Sequence, residues 1–349
     1  MKPLRIGVMG IDHGHIYGQI AGMRAAGAEL VAWWTSERTD PVDIANFTAK
    51  HPEIPQVKDA AQILEDDSLS LILISAIPEQ RAGFAISAMQ HGKDVMVDKP
   101  GATTLDQLAR VKAVQAETGR IWSVCFSERL AVEATTLVDK IIAEGRIGKV
   151  LQTVGLGPHK LGNGHRAEWF FSRQATGGIL CDIAAHQFDQ FLHYTGSTSA
   201  RVVSAHVGNM ATPQHAELQD FGEVMLAGDQ GRGYARVDWL TPKGLPVWGD
   251  GRITILGSEG YIELRKYIDI AGREGTEHVF LADARGVEYL SAKGQGTPYF
   301  GCLAADIESR GETAMTQRHA FLATELALTA QAMAEASLAE TSRAGEGQK

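Results

Sequence analysis

The hydrophobic pattern changes character once along the chain. Before residue 126, short apolar runs alternate with segments of helical period. Leu4 to Met9 is a run closed by Gly10, after which Ile16, Ile20 and Met23 recur at helical spacing. Glu29 to Trp34 reads as a second strand. Leu71 to Ile77 reads as a buried third, followed by a helix from Glu79 to His91. Asp94 to Val97 is a further strand and runs into Asp98-Lys99-Pro100. Thr104-Leu105-Asp106-Gln107 fits a capping box, with Leu108, Val111 and Val114 on one face and Gly119 as the stop. Ile121 to Phe126 supplies one more strand. Strands alternating with helices of this length predict right-handed crossovers and a doubly wound parallel sheet.

Beyond residue 126 the order changes. A helix is expected from Leu130 to Glu144 and a strand from Lys149 to Leu156. A loop carries Gly162, Gly164 and His165, and Gly177-Gly178 opens one helix that runs towards Gly196. From Ala200 to Leu290 the period is two: Ala235, Val237 and Trp239 alternate with Arg236 and Asp238. Turn signals fall at Gly228-Asp229, Gly257-Ser258-Glu259-Gly260 and Asp283-Ala284-Arg285-Gly286. Helices return near Tyr299 and Gln317. The expected class is therefore α/β: residues 1–126 as a doubly wound parallel domain, and residues 127–336 as an α+β domain on a large, mostly antiparallel open sheet. Residues 337–349, small and polar, read as a flexible tail. An antiparallel sheet with one uncovered face is expected to hide it in a homodimer or homotetramer, with Trp239 and its neighbours at the contact.

Composition narrows the class. Hydrophobic residues are 44% and charged residues 21%, as in a globular protein. The formal net charge of -9 argues against nucleic acid or an anionic membrane as partner. No stretch is long enough for a membrane span, and the N-terminus has no signal-peptide pattern. Cys125, Cys181 and Cys302 are odd in number and widely spaced, which suits a reducing cytoplasm. Gly is 38 of 349 residues, against roughly 7% on average, so turns and close backbone approaches are expected.

Two constellations carry candidate chemistry. The first is the strand–Gly10–helix start, where backbone N–H groups and the helix dipole favour an anion. A dinucleotide fingerprint wants glycine at 10, 12 and 15, but positions 12 and 15 are Asp12 and His15. Asp12 would repel a pyrophosphate unless it turned away or met a donor, and His13 and His15 could supply donors. At the end of the second strand Thr35 stands where an acid for the ribose is expected. Ser36 and Arg38 suit a 2′-phosphate, which leans the cofactor towards NADP over NAD. A ligand-free turn is the plain alternative. The second constellation is Lys99, just past a strand's carboxyl end, with Asp182, His186 and Asp189 at i, i+4 and i+7. A carboxylate one turn from His186 would fix its tautomer and suit it to take a hydroxyl proton. A structural histidine, or a metal site from His159, His165, Asp182 and His186, competes with that reading.

In order and spacing these pieces resemble the glucose–fructose oxidoreductase / inositol dehydrogenase / rhizopine-catabolism (Gfo/Idh/MocA) family, over roughly residues 4 to 336. Asp98-Lys99-Pro100 resembles its E-K-P motif, Gly177 to Asp189 its G-G-x-x-x-D-x-x-x-H-x-x-D helix, and Gly257 to Gly260 a turn between its strands. The resemblance implies an N-terminal Rossmann domain and an NAD(P)-dependent oxidoreductase of a sugar, cyclitol or related polyol, without a metal. It implies catalytic roles for Lys99, Asp182 and His186. Cofactor contacts fall on Gly10, Asp12, His13, Gly14, His15, Thr35, Ser36, Arg38, Ala76, Pro78, Asp98 and Lys99. Substrate contacts fall on Lys99, His165, Arg166, Trp169, Asp182 and His186. Two departures stand out: Asp12 and His15 replace fingerprint glycines, and Pro78-Glu79-Gln80-Arg81 stands where the family has Asn-His. A non-catalytic sugar sensor on the same scaffold is the alternative.

Overall fold

The structure, a computed structural model, describes residues 3–162 and 164–346. In chain order the first elements are β1 (Arg5–Met9), α1 (His15–Ala25), β2 (Glu29–Trp34), α2 (Pro41–Lys50), α3 (Ala61–Leu64), β3 (Leu71–Ile74) and α4 (Pro78–Gln90). They continue with β4 (Asp94–Asp98), α5 (Leu105–Thr118), β5 (Trp122–Cys125), α6 (Ser127–Leu130), α7 (Glu133–Ala143) and β6 (Val150–Pro158). Short helices α8 (Arg173–Thr176) and α9 (Ile179–Asp182) precede α10 (Ala185–Thr195). Then follow β7 (Ala200–Gly208), β8 (Phe221–Gly228), β9 (Arg232–Asp238), β10 (Arg252–Gly257), β11 (Tyr261–Arg265), β12 (His278–Asp283) and β13 (Gly286–Ser291). Helices α11 (Tyr299–Ser309) and α12 (Gln317–Glu346) close the described chain.

The chain forms two compact units. The first holds Met1–Ser127 with Gln174–Gly177 and Pro298–Phe321; the second holds Glu128–Arg173, Gly178–Thr297 and Leu322–Lys349. In the first, five parallel strands lie in the order β2-β1-β3-β4-β5. Strands β3 and β4 are buried at every position, as a sheet covered on both faces requires. The N-cap forms: Thr104 accepts the Gln107 N–H at 3.1 Å, the Gln107 side chain accepts the N–H of Thr103 one residue earlier at 2.8 Å, and Gly119 ends α5 at φ +63°.

In the second unit, eight strands lie in the order β13-β12-β11-β10-β6-β9-β8-β7. All neighbours are antiparallel except β6 and β9. Val138 and Ile141 of α7 share a core with Ile253, Ile255, Ile262, Leu264, Val279 and Leu281. Helix α10 packs on β6 and β9. It comes close because Gly155 lacks a side chain: a Cβ there would stand 2.8 Å from Gln187 Cγ.

Three expectations change. The helix opened by Gly177-Gly178 is interrupted at Ile183-Ala184, so Asp182 ends α9 and His186 lies in α10. The segment 337–346, expected as a flexible tail, continues α12, as its Ala- and Glu-rich composition permits; residues 347–349 lie outside the described chain. Trp239 is 7% exposed and packs on Phe170 and His159, so it is not on an uncovered sheet face.

Candidate functional site

The first constellation is built at the carboxyl ends of β1, β3 and β4. Gly10 turns the chain at φ +82°, and a Cβ there would stand 2.3 Å from the Ala76 Cβ. Only glycine fits. Gly10 donates its N–H to the Trp34 carbonyl at 2.8 Å, and His13 donates to Ser75 at 3.1 Å. Gly14 caps α1 with no side-chain bond, and a Cβ at Gly14 would meet nothing within 4 Å. The helix N-terminus thus opens on space that an anion can enter. Pro78 occupies the first turn of α4 and is buried.

Asp98 is the hub of this turn. Its carboxylate lies 2.9 Å from His15 Nδ1, 3.0 Å from His13 Nδ1, 3.2 Å from Arg81 Nη2 and 3.4 Å from the Ser75 hydroxyl. It also accepts the Lys99 N–H at 2.9 Å. Burial alone would raise its pKa. The charges of His15, Arg81 and His13 overcome that and hold it well below the ordinary carboxylate range. An ionised Asp98 accepts, so His15 donates from Nδ1, while His13 Nδ1 lies close to the same carboxylate. Burial and the neighbouring His15 lower His13 to about 3, against the pull of Asp98, so His13 is neutral near pH 7.

Arg81 was noted in the sequence only as a departure from the family pattern. It is fully buried and donates Nε–H to the Ala76 carbonyl at 2.7 Å and Nη1–H to the Lys99 carbonyl. With its ion pair to Asp98 it ties the ends of β3 and β4 together. A buried cation beside a carboxylate has no period or motif, so only the fold reveals it. Lys99 itself is 3% exposed.

Asp12 is 6% exposed, and burial raises its pKa, offset in part by Thr39 and Arg81. A buried carboxyl with its pKa raised by burial repels a pyrophosphate less than an exposed one would. At the end of β2, Thr35 and Thr39 share a hydrogen bond, and the Ser36 hydroxyl accepts from the Arg38 N–H at 3.3 Å. The Arg38 guanidinium pairs with Glu79 at 2.7 Å. Its charge is therefore already matched, which weakens the NADP lean.

The second unit carries the other constellation. His186 is 1% exposed, while Asp182 is half-buried. Asp189 is not a companion of His186 in a pocket: it accepts two hydrogen bonds from Arg129, each of 2.7 Å. Arg166 stacks over Phe170 at 4.4 Å and Trp239 at 5.2 Å. Burial lowers its pKa, and the Asp182 charge opposes that, so Arg166 and Asp182 feel each other. His165 is exposed, and Trp169 is half-buried with an indole N–H that has no hydrogen-bond partner among the described residues. Sequence reading missed Glu128 and Lys266, an ion pair of 2.7 Å at 2% and 1% exposure. Gln187 donates to the same Glu128 oxygen at 3.2 Å. Burial would raise Glu128; Lys266, then His186 and His159, bring it down to about 2.

Among the described residues, His159, His165, Asp182 and His186 do not bring three ligand atoms together. The one grouping that does is His13, His15 and Asp98. A dication there would share Asp98 with the Arg81 guanidinium, which works against a resident metal. Among the described residues, no helix is long and apolar enough to cross a membrane.

Known proteins place this architecture. Residues 4–126 match the oxidoreductase family with NAD-binding Rossmann fold, and residues 135–263 match the GFO/IDH/MocA C-terminal domain. A crystal structure from Erwinia carotovora atroseptica SCRI1043, provisionally named an oxidoreductase, is similar with a TM-score of 0.91 and 43% identity. That likeness covers 95% of this chain and 98% of that one. Levoglucosan dehydrogenase, solved with NADH and levoglucosan, shares the fold at a TM-score of 0.76 and 18% identity, covering 97% of this chain and 98% of its own. The scyllo-inositol 2-dehydrogenase (NADP(+)) of Bacillus subtilis is 26% identical over 175 residues, which is 50% of this chain and 47% of that enzyme. The chain spans about half the length of the curated relatives it matches first, 47%, 54% and 47% of them. With both domains matched in order and a near full-length structural relative, the chain belongs to the GFO/IDH/MocA oxidoreductase family.

Proposed function

We propose that this chain is an NAD(P)-dependent oxidoreductase that moves a hydride between the nicotinamide and a carbinol carbon of a sugar, cyclitol or related polyol. The observation that carries it is the Gly10 turn, tight against Ala76 and opening on the N-terminus of α1. The turn fits a dinucleotide: a Cβ at Gly14 would meet nothing within 4 Å, and Asp12 is buried. Gly10, His13, Gly14, His15, Ala76 and Pro78 would hold the pyrophosphate side, with Asp98 positioning the histidines and Lys99. Thr35, Ser36 and Arg38 would meet the adenosine ribose. The preference between NAD and NADP then depends on whether Arg38 leaves Glu79. The relatives named for scyllo-inositol, 1,5-anhydro-D-fructose and levoglucosan support a polyhydroxy substrate.

The bound nicotinamide supplies the hydride chemistry. The chain supplies alignment and proton handling. His186 takes the hydroxyl proton on an imidazole nitrogen during oxidation and returns it in reduction. Lys99 donates to the reacting oxygen and stabilises its developing charge. Asp182 binds a substrate hydroxyl or orients the imidazole, and Arg166, His165 and Trp169 line the substrate. These joint roles rest on the family resemblance. Glu128, fixed by Lys266 and Gln187, places a negative charge near His186.

The sheet of the second unit supports self-association as a homodimer or homotetramer. On its strands Met225, Leu256 and Tyr261 are 51%, 42% and 47% exposed. A monomeric mass by light scattering at micromolar concentration would contradict that. Titration with NADPH and NADH, followed by nicotinamide fluorescence, tests the cofactor. Saturable binding of at least one is expected, and no binding of either at millimolar concentration would sink the proposal.

A further inference from the structure

Residues 239–251 join β9 to β10, and a cavity of about 380 Å³ is lined by this segment and the adjoining ends of β6, β8, β9 and β10. The whole lining belongs to the second unit, and Lys99, Asp182 and His186 take no part in it. Strand register sets its charges. Arg252 of β10 and Arg236 of β9 both pair with Leu156 of β6, so the two arginines flank one position of the sheet, roughly 10 Å apart at the backbone. Each has an acid two residues away along the chain: Arg236 Nε lies 3.3 Å from Asp238, and Arg252 Nε lies 3.2 Å from Asp250.

These charges are close together but their hydrogen bonding is incomplete. Among the described residues, Arg236 Nε, Arg252 Nε, Asp250 Oδ1 and the Thr241 hydroxyl have no hydrogen-bond partner. Asp250 and Thr241 are only 8% and 9% exposed. Buried polar groups are nearly always hydrogen-bonded, so four such atoms around one cavity mark a place for a ligand. Asp238 differs, because it accepts the Leu240 N–H at 3.1 Å. Burial raises its pKa, and the Leu240 N–H, Arg236 and Arg252 oppose that, so the cation on β10 acts on the acid on β9.

Two cations and two anions suit neither a plain anion nor a plain cation. A neutral polyol has no charge to give the guanidiniums, whose forks match a carboxylate. The ligand must bring both signs side by side, since each arginine stands against its own acid. The rest of the lining is largely apolar, with Phe221, Leu240, Pro242 and Leu245. We propose that this cavity binds an α-amino acid with an apolar side chain. Arg236 and Arg252 take its carboxylate, Asp250 and the Thr241 hydroxyl take its ammonium, and Leu240 and Leu245 cover its side chain. Trp239 follows Asp238, Trp248 lies two residues before Asp250, and both indoles pack on His159, so tryptophan fluorescence reports on this segment.

Calorimetric titration of the full chain with L-leucine and L-phenylalanine, paired with tryptophan fluorescence, is the test. Saturable binding of at least one is expected. For L-leucine, three analogues separate the contacts. 4-Methylpentanoate lacks the ammonium, 3-methylbutylamine lacks the carboxylate, and 6-aminohexanoate is the isomer with its charges far apart. Each should bind about tenfold more weakly or worse, and Arg252→Gln and Asp250→Asn should each cost a similar factor. The analogue series uses the unmodified chain, so it decides the matter even where a variant does not fold. No saturable binding of either amino acid at roughly 10 mM, far weaker than a built site gives, overturns the proposal. Binding of 4-methylpentanoate or 6-aminohexanoate equal to that of L-leucine overturns it, and so does L-leucine binding that both folded variants retain in full.

Discussion

Arg81 Nη2 stands 3.2 Å from Asp98 Oδ2, and both side chains are fully buried. Removing one member of such a pair strands the other charge away from water. Arg81→Ala should therefore cost roughly 3–5 kcal/mol of stability. Urea denaturation measures it, and a loss below about 1 kcal/mol would show that the pair does not brace the strand ends.

The pairing of Arg38 with Glu79 predicts a switchable cofactor preference. Glu79→Gln frees the guanidinium and should strengthen NADPH relative to NADH. Arg38→Ala should weaken NADPH by about tenfold or more and leave NADH nearly unchanged. Equal losses for both cofactors would place Arg38 away from the 2′ position.

His13 and Glu128 predict acid sensitivity. Folding lowers His13 from an ordinary 6.5 to about 3, so the unfolded chain binds the extra proton between those values. Its contribution is complete above pH 6.5 and falls by up to ~1.4 kcal/mol per pH unit on acidification. Glu128, lowered from 4.5 to about 2, adds a second loss below 4.5. Thermal melts from pH 7 to 4 should decline from about 6.5, and His13→Gln should flatten the upper part. A wild-type profile level down to pH 5 would contradict the assigned neutral His13.

Much of this was legible in the sequence. The β1–Gly10–α1 start, the Thr104 N-cap and the period-two strands all carry local signals, and each forms. The break at Ile183-Ala184 was not legible, because its residues fit a helix and tertiary packing decides. Arg81, Glu128 and Lys266 were missed for a related reason. Buried ion pairs join residues far apart in sequence, such as Glu128 and Lys266, and leave no period. Asp12 was visible, but its burial, and the nearness of Thr39 and Arg81, appear only in the fold.

The Glu128–Lys266 pair predicts an effect beyond packing. Glu128→Gln keeps the shape and removes the charge near His186. It should lower kcat for oxidation at pH 7 by roughly tenfold and move the acidic limb of the pH–rate profile, the limb on which a general base must lose its proton. A fall in stability with an unchanged pH profile would mark the pair as structural.

The central claim is that this chain oxidises polyhydroxy substrates through His186 and Lys99. The direct measurement follows nicotinamide absorbance with a panel of sugars and cyclitols, using the unmodified chain, His186→Asn and Lys99→Met. The account predicts turnover by the unmodified chain on at least one polyol. It predicts a loss of about 10²- to 10⁴-fold in kcat for each variant, with cofactor binding retained. Cofactor binding without turnover on any polyol, or full activity in both variants, would contradict it.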